Sequence, residues 1–139
     1  MTLVLDCSVT LAWLFEDEQT PALTDLLARV RNEGAYVPSL WSLEVANGLQ
    51  IALRRGRINI ARRDQSLNAL EDLRIMIDSN THAVAWYSTL ALSDNHRLTI
   101  YDAAYLELAL RERLPLATLD NALRTAGTAL GMEILPPPP

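Results

Sequence analysis

Four acidic residues stand apart from the other acids of this chain, and their isolation indicates a shared chemical role. Each is the only acid in a stretch of at least twelve residues, whereas most of the seventeen acids lie in clusters or near arginines. The four, with their surroundings, are Asp6 in LVLDCSV, Glu44 in WSLEVANGL, Asp102 in TIYDAAYL and Asp120 in LATLDNAL. Carboxylates brought together repel one another unless a cation joins them. Oxygen ligands of this kind suit Mg²⁺ or Mn²⁺, so the set predicts a divalent metal site.

Each acid also has an ordinary structural interpretation, which the sequence leaves open. The three aspartates lie where this residue type commonly caps a helix. Glu44 has the arginines of residues 54–63, or another subunit, as alternative partners. Softer metal ligands do not form a competing site, because the two histidines have no ligand spacing and the single cysteine is interpreted as a small buried hydrophobe.

Apolar runs of four to six residues alternate with longer helical patterns and indicate the elements that position these acids. The alternation predicts an α/β fold whose five strands form a parallel sheet with crossover helices. The predicted strands are residues 3–5, 36–37, 75–77, 116–118 and 133–135. The predicted helices are residues 20–34 with Thr20 as cap, 39–56 with Ser39 as cap, 59–73, 99–114 closed by Pro115, and 120–130. Residues 82–95 are predicted to form a short helix and a turn.

This arrangement brings the acids toward one edge of the sheet. Asp6 and Asp120 each follow a predicted strand and precede a helix, so they lie at the carboxyl edge, where open α/β folds place their binding crevice. Asp102 falls in the first turn of its helix. Glu44 lies inside a helix on a largely apolar stripe, where a carboxylate needs a partner because its isolated burial is costly.

The charge balance restricts the classes of function. A net charge of −5 argues against a protein bound to nucleic acid by bulk positive charge, although residues 54–63 contain five arginines and no acid. All twelve basic residues are arginine, which excludes mechanisms that need a catalytic lysine. The first apolar run has no basic residue before it and is interrupted by acids well short of a membrane span, so we expect a cytoplasmic, single-domain protein.

The order and context of the acids resemble those of the PIN domains of the VapC toxin ribonucleases. The resemblance covers the whole chain and rests on VLDCS, SLEVANGL, YDAAYLELA and LATLDNAL taken together. It implies a three-layer α/β/α PIN-like fold with a mostly parallel five-stranded sheet over residues 1–135. The proline tail, residues 136–139, is expected to be an unstructured terminus in an extended polyproline conformation.

The resemblance also implies roles for individual residues. Asp6, Glu44, Asp102 and Asp120 match the family's catalytic, metal-binding acids, and Ser8 and Thr118 match its accessory hydroxyls. Asn121 occupies a position where the family can carry another polar residue, and it is left out of the site. The implied activity is Mg²⁺-dependent hydrolysis of single-stranded RNA, with Mn²⁺ as a substitute ion and metal-activated water as the nucleophile.

The expected partners follow from the same resemblance. They are an RNA substrate, a VapB-like antitoxin and a second copy of the chain bound through residues 39–73. The antitoxin is expected to dock on two apolar N-terminal helices, SVTLAWLF (residues 8–15) and PALTDLLARV (residues 21–30). An RNA-contacting role for Arg54, Arg55 and Arg57 competes with an ordinary solvated helix end.

Two other functions are weighed against this one. A PIN-like interaction module that has lost catalysis is disfavoured because all four acids are present. A phosphatase of the haloacid dehalogenase type also uses an aspartate after its first strand, but it needs a second aspartate where this chain has Ser8, and it leaves Glu44 unexplained.

Overall fold

A parallel five-stranded sheet forms the centre of the protein, which a computed structural model describes over residues 2–139. The strands are β1 (Val4–Leu5), β2 (Ala35–Val37), β3 (Ile75–Ile77), β4 (Leu116–Ala117) and β5 (Ile134–Leu135). Their order across the sheet is β3-β2-β1-β4-β5, and every neighbouring pair is parallel. The carboxyl ends of all five strands therefore meet at one edge, and the predicted strands are confirmed to within about a residue at each end.

Helices connect the strands and cover both faces of the sheet, which confirms the three-layer α/β/α fold. They are α1 (Cys7–Leu14), α2 (Pro21–Glu33), α3 (Trp41–Arg54), α4 (Ile60–Glu71), α5 (Thr81–Val84), α6 (Leu90–His96), α7 (Ile100–Glu112) and α8 (Asn121–Ala129). A short 3₁₀ turn (Glu16–Glu18) follows α1. Within residues 2–139, no helix has both the length and the apolar character needed to cross a bilayer.

The central strand β1 and the helices beside it are buried because their residues are largely apolar. Leu3, Val4 and Leu5 are completely inaccessible, as expected for a strand covered on both faces. Two tryptophans then fix α1 in place through their ring N–H groups. Trp13 donates to the carbonyl of Leu23 at 2.8 Å and so joins α1 to α2, and Trp41 donates to the hydroxyl of Thr10 at 3.1 Å and joins α3 to α1.

Helix α2 has the predicted ends, whereas α3 does not begin where its sequence suggests. The Thr20 side chain accepts a hydrogen bond from the Leu23 amide, and Gly34 ends α2 with a positive φ of 80°. Ser39, predicted to cap the next helix, does not do so, because α3 begins at Trp41 and has no side-chain cap. The amide of Ser39 instead donates to the Thr81 hydroxyl at 3.1 Å, so a contact from a distant part of the chain replaces the local cap.

Of the short helix and turn predicted over residues 82–95, the helix is present and the turn is not. The chain is helical from α5 through a π-helical segment (Ala85–Thr89) into α6. The π-helical segment and α6 both pack on α7, and this tertiary support explains why the helix continues where the local pattern predicts a turn. Trp86, in the π-helical segment, has 84% of its surface exposed.

The first residue of the proline tail is attached to the body of the protein. One Arg124 nitrogen donates to the Pro136 carbonyl at 2.7 Å, and the other donates to the Thr118 carbonyl at 2.8 Å. The Arg124 guanidinium therefore ties the start of the tail to the end of β4.

A cluster of charged side chains, here called the α7 clamp, joins the end of β3 to α7. It consists of Asp78, Glu107 and Arg111. Arg111 donates to both oxygens of Asp78, at 3.1 and 2.7 Å, and to both oxygens of Glu107, at 2.8 and 3.0 Å. The two acids are only 2% and 5% exposed. Burial alone would raise the pKa of Asp78, but hydrogen bonds from Arg111, Thr81 and the Asn80 amide outweigh it and lower that pKa.

Replacing Arg111 with methionine, which keeps a long side chain, leaves both buried carboxylates of the α7 clamp without a cation. We expect the free energy of unfolding at pH 7 to fall by about 3 kcal/mol, because a buried charge that loses its partner is costly. Urea unfolding measures this loss. Arg55→Met is a matched control at an exposed position and should change the free energy of unfolding little.

The difference in the free energy of unfolding between wild type and Arg111→Met should also depend on pH. A lowered pKa in the folded state means that the stabilisation is present above the ordinary aspartate pKa of 3.8 and is lost as pH falls through the lowered value. The gap in unfolding free energy should therefore narrow below about pH 4. A gap that stays constant, or an equal loss in Arg55→Met, would contradict the α7 clamp.

Candidate active site

The carboxylate of Asp6 lies at the carboxyl end of β1 and is 4% exposed. Although Asp6 occupies the cap position of α1, its side chain accepts no capping hydrogen bond. Its Oδ2 atom instead accepts hydrogen bonds from the Ser8 hydroxyl at 2.7 Å and from the Thr118 hydroxyl at 2.6 Å. The helix-cap interpretation of this residue is therefore wrong, and the carboxylate is oriented by two hydroxyl groups.

Those two hydroxyls are in turn oriented by the connection between β4 and α8. The Ser8 oxygen accepts a hydrogen bond from the Leu119 amide at 2.9 Å, and the Thr118 oxygen accepts one from the Asp120 amide at 3.0 Å. Each hydroxyl thus accepts a backbone amide and donates its single proton to Asp6. The two candidate accessory residues lie beside the first acid of the set.

Asp102 and Asp120 behave differently as helix-terminal residues. Asp120 is a true cap, because its Oδ2 atom accepts the amide of Leu123 at 2.9 Å. Asp102 is not, since the hydroxyl of Thr99 caps α7 by accepting the Asp102 amide at 3.1 Å. Of the three aspartates with a capping interpretation, only Asp120 has that role, and its other carboxylate oxygen makes no hydrogen bond to residues 2–139.

Glu44 reaches the same region from the first turn of α3. Its Oε1 atom accepts a hydrogen bond of 2.6 Å from the hydroxyl of Tyr105, a residue of α7. The alternative partners among the arginines of residues 54–63 do not contact it. The sequence analysis did not single out Tyr105, although it lies one turn after Asp102 in the YDAAYLELA segment and a residue at that spacing shares the face of its helix.

The electrostatics show that the four carboxylates lie close enough to influence one another. Burial is the main cause of a raised pKa for Asp6, Glu44 and Asp102. The charge of Asp120 adds to the rise for Asp6 and Asp102, and the charges of Asp6 and Asp102 add to the rise for Glu44. Repulsion of this kind is expected when carboxylates share a site without a cation.

No arginine neutralises any of the four acids in the part of the chain that the structure describes. This sets them apart from the buried acids Asp78 and Glu107, which share Arg111. An all-carboxylate set without a basic partner has the donor chemistry of a Mg²⁺ or Mn²⁺ site. Among residues 2–139, no three acidic, histidine or cysteine side chains are close enough to enclose an ion as they stand.

The candidate substrate-binding arginines lie at the end of α3 and just after it. Arg57 donates to Asp17 at 2.6 Å and to Glu18 at 2.8 Å, and its guanidinium stacks on the ring of Phe15 at 3.9 Å. Arg54 and Arg55 are exposed to solvent. Arg57 is thus occupied within the protein, whereas its two neighbours present their charge to solvent.

Comparison with known proteins supports the fold and the family. Residues 3–128 match the PIN domain family. Ribonuclease VapC3 of Pyrobaculum aerophilum is 31% identical over 133 residues, which cover 94% of this chain and 98% of that protein.

Two solved structures share the fold. PAE2754 from Pyrobaculum aerophilum superposes with a TM-score of 0.68 at 24% identity, over 91% of this chain and 86% of that one. FitAcB from Neisseria gonorrhoeae superposes with a TM-score of 0.66 at 17% identity, over 96% of each chain. Together with the matched residues and the acids at the carboxyl edge of a parallel sheet, these similarities show that the chain belongs to the PIN domain family.

Proposed function

We propose that this protein is a divalent-metal-dependent endoribonuclease that acts on single-stranded RNA as the toxin of a toxin–antitoxin pair. The observation that carries the proposal is the group of four carboxylates, Asp6, Glu44, Asp102 and Asp120. Burial and neighbouring acids raise the pKa of the first three, and no arginine within residues 2–139 pairs with any of the four. A relative named as a ribonuclease supports the reaction class. In this proposal the protein acts in the cytoplasm, and residues 1–135 are its nuclease domain.

In this proposal the four carboxylates hold Mg²⁺, or Mn²⁺ in its place. A bound divalent ion would lower the pKa of a water molecule and polarise the phosphodiester. Ser8 and Thr118 keep the Asp6 carboxylate in one orientation, with Oδ2 directed at the hydroxyls and Oδ1 left for the ion. Attack by water needs no 2′-hydroxyl, so the products would carry 5′-phosphate and 3′-hydroxyl ends.

The RNA strand needs positive charge outside the acidic pocket. Arg54 and Arg55 are exposed at the end of α3 and suit contact with phosphate groups. Arg57 would have to leave Asp17 and Glu18 to join them, so we assign it the smaller share of substrate binding.

An antitoxin partner is proposed from the relative's membership of the VapC group. The apolar side chains of α1 are almost all inside the protein, which corrects the expectation that this helix offers a docking surface. A cavity of about 300 Å³ between α2 and α4 is a better candidate. It is lined by apolar groups that include Leu27, Leu70 and Leu73.

Pairing of two copies through residues 39–73 is supported by the exposed side chains of Leu43 and Ile60.

Changing Asp6 to asparagine should abolish the reaction while keeping the fold. The amide can still accept the hydroxyl hydrogen bonds but binds a divalent ion poorly, so we expect Mg²⁺- or Mn²⁺-dependent cleavage of single-stranded RNA to fall roughly a hundredfold or more. Asp25→Asn is the matched control, because Asp25 is exposed on α2. Wild-type activity in Asp6→Asn would refute the assignment of this residue, and an inactive wild type would favour an interaction module without catalysis.

Changing Asp102 to asparagine should stabilise the metal-free protein. A raised pKa in the folded state means that stability is greatest below the ordinary aspartate pKa and declines as pH rises through the raised value. At pH 7 the charge of Asp102 therefore opposes folding, and its removal should raise Tm by about 2–5 °C, the shift given by about 1 kcal/mol in a domain of this size.

Calorimetry of both proteins with EDTA and with millimolar Mg²⁺ completes this test. The ion should raise the Tm of wild type more than that of Asp102→Asn, because it binds the folded state through this carboxylate. Identical responses to Mg²⁺ would mean that Asp102 shares no ion with the other acids.

A further inference from the structure

We propose that Tyr105 is a positioning residue that fixes the carboxylate of Glu44 toward the other three acids. The inference rests on the proposed function, because it assigns Tyr105 a role in the metal site formed there. Tyr105 itself is not a ligand in this proposal. It acts through Glu44, by a hydrogen bond between α7 and α3.

The geometry of the pair favours a fixed orientation. The Tyr105 hydroxyl lies 2.6 Å from Oε1 of Glu44, and the tyrosine side chain is completely buried. A buried aromatic ring has few accessible rotamers, so the position of its hydroxyl is set by the packing of α7. Glu44 has a longer and more flexible side chain, is only partly buried, and follows Leu43, which is 77% exposed. Without the hydrogen bond from Tyr105, the Glu44 carboxylate would be free to turn toward solvent.

The hydrogen bond has a defined direction. A tyrosine hydroxyl carries a proton and an ionised carboxylate can only accept, so Tyr105 is the donor. The bond occupies Oε1 and leaves Oε2 of Glu44 for another ligand. Asp6 is held in the same way, because the Ser8 and Thr118 hydroxyls donate to its Oδ2 atom. Hydroxyl donors thus orient two of the four acids, each through a single carboxylate oxygen.

The position of Tyr105 also couples Glu44 to Asp102. Both Tyr105 and Asp102 lie on α7, three residues apart and therefore on the same face of the helix. The hydrogen bond to Glu44 consequently ties an acid of α3 to the helix that carries a second acid. Partners of metal ligands that act in this way typically change metal affinity by about 10–100-fold when they are removed.

The test measures Mn²⁺ binding to the metal-free protein by the electron paramagnetic resonance signal of free Mn²⁺, so it does not depend on cleavage. The variants are Tyr105→Phe, Glu44→Gln and the double variant. Tyr101→Phe is the matched control, one turn away on α7 and 63% exposed. Tyr105→Phe removes only the hydroxyl, so its Tm should stay within about 5 °C of wild type.

We expect Tyr105→Phe to bind Mn²⁺ at least about tenfold more weakly than wild type, and Tyr101→Phe to bind it as wild type does. The double variant should bind no more weakly than Glu44→Gln, because Tyr105 acts through that carboxylate. Wild-type affinity in Tyr105→Phe would overturn the positioning role and leave the proposed function standing, as would additive losses in the double variant. A wild type that binds no Mn²⁺ would overturn the proposed metal site and this inference together.

Discussion

Burial of the Asp6 carboxylate is the constraint on which the rest of the site depends. A carboxylate removed from water needs hydrogen bonds or a cation, and the only direct side-chain partners of Asp6 in residues 2–139 are two hydroxyls. These come from Ser8, at the start of α1, and from Thr118, at the end of β4. Because each hydroxyl also accepts an amide of the β4–α8 connection, Asp6 fixes the path of the chain that places Asp120.

The protein contains two kinds of wholly or partly buried acid, which differ in whether an arginine neutralises their charge. Asp78 and Glu107 share a bidentate arginine, and hydrogen bonding lowers the pKa of Asp78. Asp6, Glu44 and Asp102 have no such partner and have raised pKa values. The first arrangement stabilises the fold through its own charges. In the second arrangement the carboxylates repel one another, and a bound divalent cation would relieve that repulsion. This is the physical basis of the proposed metal-dependent reaction.

Helix α7 links these two groups. Near its C-terminal end, Glu107 and Arg111 join it to the end of β3, and near its start it carries Asp102 and Tyr105. Its orientation on the sheet therefore determines where two components of the site lie. The π-helical segment and α6 pack along α7, and this support explains why the chain stays helical up to residue 96 where its local pattern predicts a turn.

The sequence by itself determined the strands, most helix ends and the four isolated acids, because apolar periodicity and capping chemistry are local properties. It could not decide whether Asp6 and Asp102 cap helices, since a cap and a ligand use the same residue type in the same place. It also gave no sign of the Glu44–Tyr105 hydrogen bond, the α7 clamp or the hydrogen bond from the Ser39 amide to Thr81. Those contacts join residues that are 61, 33 and 42 positions apart. Only the tertiary structure brings such residues within hydrogen-bond distance, because side-chain partners across a parallel sheet depend on helix packing and not on spacing along the chain.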